Sequence, residues 1–217
     1  MLNRTSAILV LVALPLPGCM DGDPPGTGVP GIEVRAAGSA VARESFDEDS
    51  ANWEFPAGTW VRREASGNGV LAQTSTDHVF PVALWKQSRF GDVDVTVRFK
   101  PISGRIDASG GIVFRAIDGK NYYVVRANSL EGNFRLYTVK GGDRDQIAST
   151  GVDAPSLGEW HTLRVVAVGP HIQAYLDGRL LIDHHDESFQ TGYVGLWTKE
   201  DAVTEFDDLE VKGVPAE

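Results

Sequence analysis

The 217 residues carry 30 acidic against 20 basic side chains, a net charge of −10, and 42% of them are hydrophobic, a proportion ordinary for a globular protein. That balance argues against a nucleic-acid backbone as partner, which needs clustered positive charge, and against a purely electrostatic hold on anionic lipid. The length admits one large domain or two small ones.

Arg4 is followed by the apolar run Ala7–Leu16, and the single cysteine stands at position 19. Ten apolar residues are too short for a membrane-spanning helix, which needs about 20, and they suit the core of an export signal over residues 1–18. Leu16-Pro17-Gly18-Cys19 resembles the bacterial lipobox. The resemblance implies an exported protein whose Cys19 is lipidated, held to the cell envelope by its acyl chains alone. With Met20 following, it implies the outer membrane if the cell is Gram-negative. Each buried methylene contributes about 0.8 kcal/mol, so several acyl chains anchor durably where one does not. A lone cysteine makes no intrachain disulfide. Residues 19–42 are rich in Gly, Pro and Asp and read as a flexible tether.

From Arg43 the hydrophobic period becomes two. Asp92–Lys100 places Val93, Val95, Val97 and Phe99 on one face and Asp94, Thr96, Arg98 and Lys100 on the other. Gly111–Ala116, Tyr122–Asn128, Phe134–Lys140, Trp160–Val168, His171–Leu176, Leu180–Asp183 and Tyr193–Thr198 follow the same rule. Asp118-Gly119, Gly141-Gly142, Gly169-Pro170 and Asp177-Gly178 supply the turns. No segment shows a convincing helical period. The prediction is an all-β, two-sheet antiparallel jelly-roll sandwich over residues 43–217, built as one core.

The series Gly110-Gly-Ile-Val-Phe-Arg, Asn121-Tyr-Tyr-Val-Val-Arg-Ala-Asn, Phe134-Arg-Leu-Tyr, Glu159-Trp-His-Thr-Leu-Arg-Val, Tyr175-Leu-Asp-Gly, Gly192-Tyr-Val-Gly-Leu-Trp-Thr-Lys and Thr204-Glu-Phe-Asp-Asp-Leu-Glu-Val resembles the concanavalin A-like lectin/glucanase superfamily. Within it, the likeness is to laminin-G-like domains, 3-keto-disaccharide hydrolase-like domains and glycoside hydrolase family 16. The resemblance implies that the first strand, near Arg43–Phe46, pairs with the last, Phe206–Val211. It implies either a lectin-like or adhesive domain for a carbohydrate or envelope glycan, or a glycoside-cleaving enzyme. A structural envelope protein is the third reading, and a monomer is expected.

Four constellations compete for a chemical role. Glu205-Phe-Asp-Asp-Leu-Glu210 matches the family 16 catalytic pattern, yet five residues of strand span about 16 Å, while retaining chemistry needs carboxyls about 5–5.5 Å apart. We expect a closing strand without catalytic residues there. His184-His185-Asp186-Glu187 holds potential metal ligands, but neighbouring histidines on a strand face opposite ways and no third histidine is near in sequence. Asp47, Asp207 and Asp208, with Glu44 as an alternative, are candidates for a structural Ca²⁺ of the kind the superfamily resemblance implies. Lastly, if Ile112, Phe114, Val125, Ala127, Phe134, Leu136, Val194 and Leu196 face the core, then Arg115, Tyr122, Arg126, Arg135, Tyr137, Tyr193, Trp197 and Lys199 face outward. Rings that pack on sugar C–H faces and guanidinium forks that grip hydroxyls make this the expected ligand-binding surface, with Trp197 at least partly exposed.

Overall fold

A computed structural model describes residues 30–34, 40–65, 67–77 and 79–216; the signal segment and Cys19 lie outside these residues. Among the described residues every regular element is a strand, 14 in all. In chain order these are β1 (Ala40–Glu44), β2 (Trp53–Ala57), β3 (Trp60–Ala65), β4 (Asn68–Gln73), β5 (Val82–Ser103), β6 (Ser109–Asp118) and β7 (Asn121–Asn128). Then come β8 (Asn133–Lys140), β9 (Asp143–Gly151), β10 (His161–Val168), β11 (His171–Leu176), β12 (Arg179–His185), β13 (Gly192–Trp197) and β14 (Val203–Ala216). All pairings are antiparallel.

The long strand β5 belongs to both layers of a sandwich. Its first half pairs with β13 and β2, continuing through β6, β7 and β8 to the edge strand β9; this is the front sheet. Its second half pairs with β10 and β14, continuing through β11 to β12 on one side and to β1, β4 and β3 on the other; this is the back sheet. Val93, Val95, Val97 and Phe99 from the back sheet meet Ile112, Phe114, Val125, Phe134, Leu136, Val194 and Leu196 from the front in one buried core. Alternation therefore fixes the inner face as the sequence predicts.

β1 pairs with β14, Arg43 opposite Glu210 and Ala42 opposite Val211, so first and last strands close the back sheet together. The first strand begins at Ala40, three residues before Arg43. Asp177 and Gly178 both take positive φ, 49° and 77°, the conformation that a two-residue hairpin of this twist requires.

The tether reading needs correcting at residues 30–34. Val34 is buried against Val166 and Tyr175 on the outer face of the back sheet, with Ile32 packed beside it. Gln173 clamps the first half of the segment, its Oε1 accepting from Ile32 N at 2.8 Å and its Nε2 donating to Pro30 O at 3.0 Å. The alternating pair Ile32 and Val34 is enough to dock a Gly/Pro-rich stretch when a sheet face offers Val166 and Tyr175 to receive it.

Candidate functional site

On the front sheet, the outer face carries Tyr122, Tyr137 and Trp197 as expected, but these side chains are buried. Tyr122, Tyr137 and Trp197 join Val82, Leu84, Val113, Val124 and Val139 in a second buried cluster on the outer face. Trp197 is 0% exposed, so the expected exposed indole is overturned. The cause is a lid that sequence alternation cannot reveal. Phe80, from the loop before β5, stacks on Trp197 with ring centres 5.6 Å apart. Arg144 of the edge strand β9 lays its guanidinium over Tyr137 at 4.3 Å, Phe80 at 4.9 Å and Trp197 at 5.7 Å. The outward Tyr and Arg side chains cover one another, and burial pushes the Tyr122 phenol up to about 12.

Arg115 leaves this face altogether. It takes φ +50° at a bulge between Phe114 and Asp118, and the extra residue turns its side chain toward the sandwich edge. There its guanidinium donates to Gly91 O, Gly169 O and Phe189 O at 3.0, 2.8 and 3.3 Å, tying three connections together beneath a cleft of about 410 Å³. All three acceptors are backbone carbonyls and Asp92 Oδ1 lies 3.8 Å from Nη2, so Arg115 is held in the wall of this cleft rather than on the front-sheet face.

Of the remaining predicted residues, Tyr193 is half-buried beneath Lys86 Nζ, 3.8 Å from its ring centre, whereas Arg126, Arg135 and Lys199 gather at the other end of the front sheet. Arg126 is 1% exposed and reaches the Asn133 side-chain oxygen, Glu131 Oε2 at 3.0 Å and Tyr137 Oη at 3.3 Å, while its Nε has no partner. Arg135 approaches the same two groups, Tyr137 Oη at 3.4 Å and Glu131 at 3.6 Å. Asn133 Nδ2 donates to Glu131 at 2.9 Å; that bond above all, then Arg126, holds the Glu131 carboxyl below its ordinary value.

Beside this group the sequence reading missed Asp107. It is fully buried, its Oδ2 accepts from Asn128 Nδ2 at 2.9 Å, and Lys199 Nζ stands 3.8 Å away. Its Oδ1 is unpartnered. Burial drives its pKa upward; Ser109 Oγ opposes this, though its geometry falls short of a hydrogen bond. The loop that carries it is preformed. Asp201 accepts from the backbone N–H groups of Arg105, Ile106 and Asp107 at 2.8, 2.9 and 3.0 Å. Ser129 N in turn donates to Ala108 O at 3.1 Å, so this loop and the β7–β8 turn lie side by side with Ile106 and Leu130 exposed. The result is a rim of Glu131, Arg135 and Lys199 with two apolar side chains beside it and a buried, incompletely satisfied polar floor.

The family 16-like carboxylates lie elsewhere. A bulge after Asp207, with Asp208 at φ +50°, puts Phe206, Leu209 and Val211 in the core and turns Glu205, Asp207 and Glu210 to the outer face of the back sheet. Each is engaged there: Glu205 with Arg63 and Lys100 at 2.6 Å each, Asp207 with Asn68 Nδ2 at 2.6 Å, Glu210 with Arg43 at 2.7 Å. Burial raises the Glu205 pKa, but Lys100 and Arg63 outweigh it and the net shift is downward, opposite to what a general acid needs.

Of the candidate calcium ligands, Asp47 accepts from Gly69 N at 3.0 Å and Asp207 from the neighbouring Asn68, whereas Asp208 turns away to Arg98 at 2.8 Å. Glu44 Oε1 accepts from Phe46 N at 3.1 Å.

The fold and this arrangement define a concanavalin A-like jelly roll with a polar site on its front sheet. The chain belongs to the family of 3-keto-alpha-glucoside-1,2-lyase-like domains, whose pattern it matches over residues 41–212. It is 23% identical over 187 residues to the levanase of Bacillus subtilis strain 168, covering 76% of this chain and about a quarter (26%) of that enzyme. Its fold is similar to the carbohydrate-binding module CBM66 from Bacillus subtilis, with TM-score 0.64 and 23% identity, over 73% of this chain and 94% of that one. It is also similar to the β-glucanase of Bacillus licheniformis, with TM-score 0.58 and 13% identity over 84% of this chain and all (100%) of the other.

Proposed function

We propose that this domain binds a carbohydrate at the front-sheet rim of Glu131, Arg135 and Lys199 and that lipidated Cys19 holds it at the cell envelope. The observation that carries the reading is the polar floor: Asp107 Oδ1 and Arg126 Nε are buried without partners beside rim groups that remain in contact with solvent. Each unsatisfied buried polar atom costs about 1–3 kcal/mol, and a water bridging it to a ligand hydroxyl at the rim completes it. Ile106 and Leu130 offer apolar contact for the C–H face of a sugar ring. The similarity to a carbohydrate-binding module and to a levanase supports a glycan as ligand, with levan the first polymer to test. A glycan panel followed by titration of the hits against Arg135→Ala and Lys199→Ala tests the binding reading, and loss of palmitate labelling in Cys19→Ser tests the anchor.

A second reading is favoured by Asp107 alone. A 1,2-lyase acting on a 3-keto sugar takes the C2 proton, made acidic by the adjacent ketone, and expels the C1 substituent. A buried carboxylate of raised pKa can serve as such a base through one bridging water. Loss of turnover of a 3-keto-glucoside in Asp107→Asn with the fold retained would favour the lyase; no turnover by the wild type would leave binding.

A further inference from the structure

His184 and His185 indeed face opposite ways, but the third histidine absent from their sequence neighbourhood arrives from the next strand. β11 and β12 pair with His171 opposite His185 and Gln173 opposite Asp183, so these four side chains occupy one patch of the outer back sheet. The two imidazoles lie face to face, centres 4.3 Å apart and 13° from parallel. His171 Nε2 is 2.9 Å from Asp183 Oδ1. One ligand atom from each of His171, Asp183 and His185 falls within 4.8 Å of the others.

We propose that His171, Asp183 and His185 form a binding site for one divalent transition-metal ion of the zinc class. Two imidazole nitrogens and a carboxylate oxygen are a donor set that such ions favour, at bond lengths of about 2.0–2.2 Å. Tetrahedral ligands at those lengths stand about 3.3 Å apart, so closure needs the ligand atoms to approach by about 1.5 Å at most. Rotation of two part-exposed imidazoles about their Cβ–Cγ bonds supplies that movement without shifting the strands.

The carboxylate is already oriented. Asp183 Oδ2 accepts from Gln173 Nε2 at 2.7 Å, leaving Oδ1 toward the histidines. Gln173 is fully buried, and its Oε1 accepts from Tyr175 Oη at 2.7 Å and from Ile32 N at 2.8 Å, which fixes the amide so that Nε2 must face Asp183. Outer partners of this kind typically alter metal affinity 10–100-fold. Gln173 is thus a positioning residue, and it links the site to the docked segment 30–34.

The test is calorimetric titration of Zn²⁺ into the untagged full chain carrying Cys19→Ser, so that no thiolate competes. One ion per chain is expected, with affinity falling at least tenfold in His171→Ala and in His185→Ala and unchanged in His184→Ala. Melting in EDTA checks the fold: all three variants should match the parent there, and only the parent and His184→Ala should gain stability when Zn²⁺ replaces EDTA. No saturable binding by the parent, or equal losses in His184→Ala and His185→Ala, would overturn the site.

Discussion

Arg126 Nη2 and Glu131 Oε2 stand 3.0 Å apart, the guanidinium wholly buried and the carboxylate at the surface. The pair therefore joins the floor of the front-sheet site to its rim. Removing the carboxylate charge leaves a buried cation whose hydrogen-bond acceptors are all neutral. Glu131→Gln should lower stability by about 1–3 kcal/mol, read as a shift in the urea midpoint without a change in slope. An unchanged midpoint would show that Asn133 and Tyr137 satisfy Arg126 unaided.

Trp197 is a core residue of the outer cluster, roofed by Phe80 and Arg144. Trp197→Ala should cost about 3–5 kcal/mol, the range for a buried aromatic. Thermal unfolding near the wild-type midpoint would mean that the roof is open in solution.

Glu205 titrates below its ordinary 4.5 when folded, and Lys100 and Arg63 are the stabilising partners. A lowered folded value means that its contribution is fully present above about pH 4.5 and is lost as pH falls through that lower value. Glu205→Gln should be less stable than wild type at neutral pH, and the gap should close on acidification. A gap that stays constant with pH would assign the loss to packing rather than to the ion pairs.

Asp107 carries the opposite sign. Its folded pKa is raised above 3.8 by burial, so between the two values the native state binds more protons and stability falls as pH rises. Above the raised value the charge is a standing cost. Asp107→Asn should remove that downward slope and be at least as stable as wild type at neutral pH. Destabilisation at neutral pH would show that Lys199 and Asn128 more than compensate the buried charge.

The fold was legible because inner-facing residues alternate over Val93–Phe99, Ile112–Phe114, Tyr123–Ala127, Phe134–Leu136 and Val194–Leu196, and because Asp177-Gly178 and Gly141-Gly142 are turns with a mechanism. β9 was not, since Asp143–Gly151 is a polar edge with no apolar face to betray it. That omission hid Arg144, and with it the burial of Trp197. Arg115 misled because a single bulge residue resets the parity of everything after it. In the candidate site, Arg126, Arg135 and Lys199 were visible as outward cations, but Asp107 sits in a loop without periodicity and is brought to them only by the hydrogen bonds of Asp201. The His171–His185 pair was likewise invisible, because the partners are cross-strand neighbours 14 residues apart in sequence.

The central claim is that the rim at Glu131, Arg135 and Lys199 holds a sugar. Its most direct test is calorimetric titration of levan, and of any hit from a glycan panel, into wild type and Arg135→Ala. Arg135 is part-exposed, so its loss should leave the melting temperature within a degree or two while weakening binding by about 1–2 kcal/mol, roughly five- to thirtyfold. Saturable binding by wild type, so weakened in the variant at equal stability, is the predicted result. A wild type that binds no glycan, or a variant that binds as tightly as wild type, would contradict it.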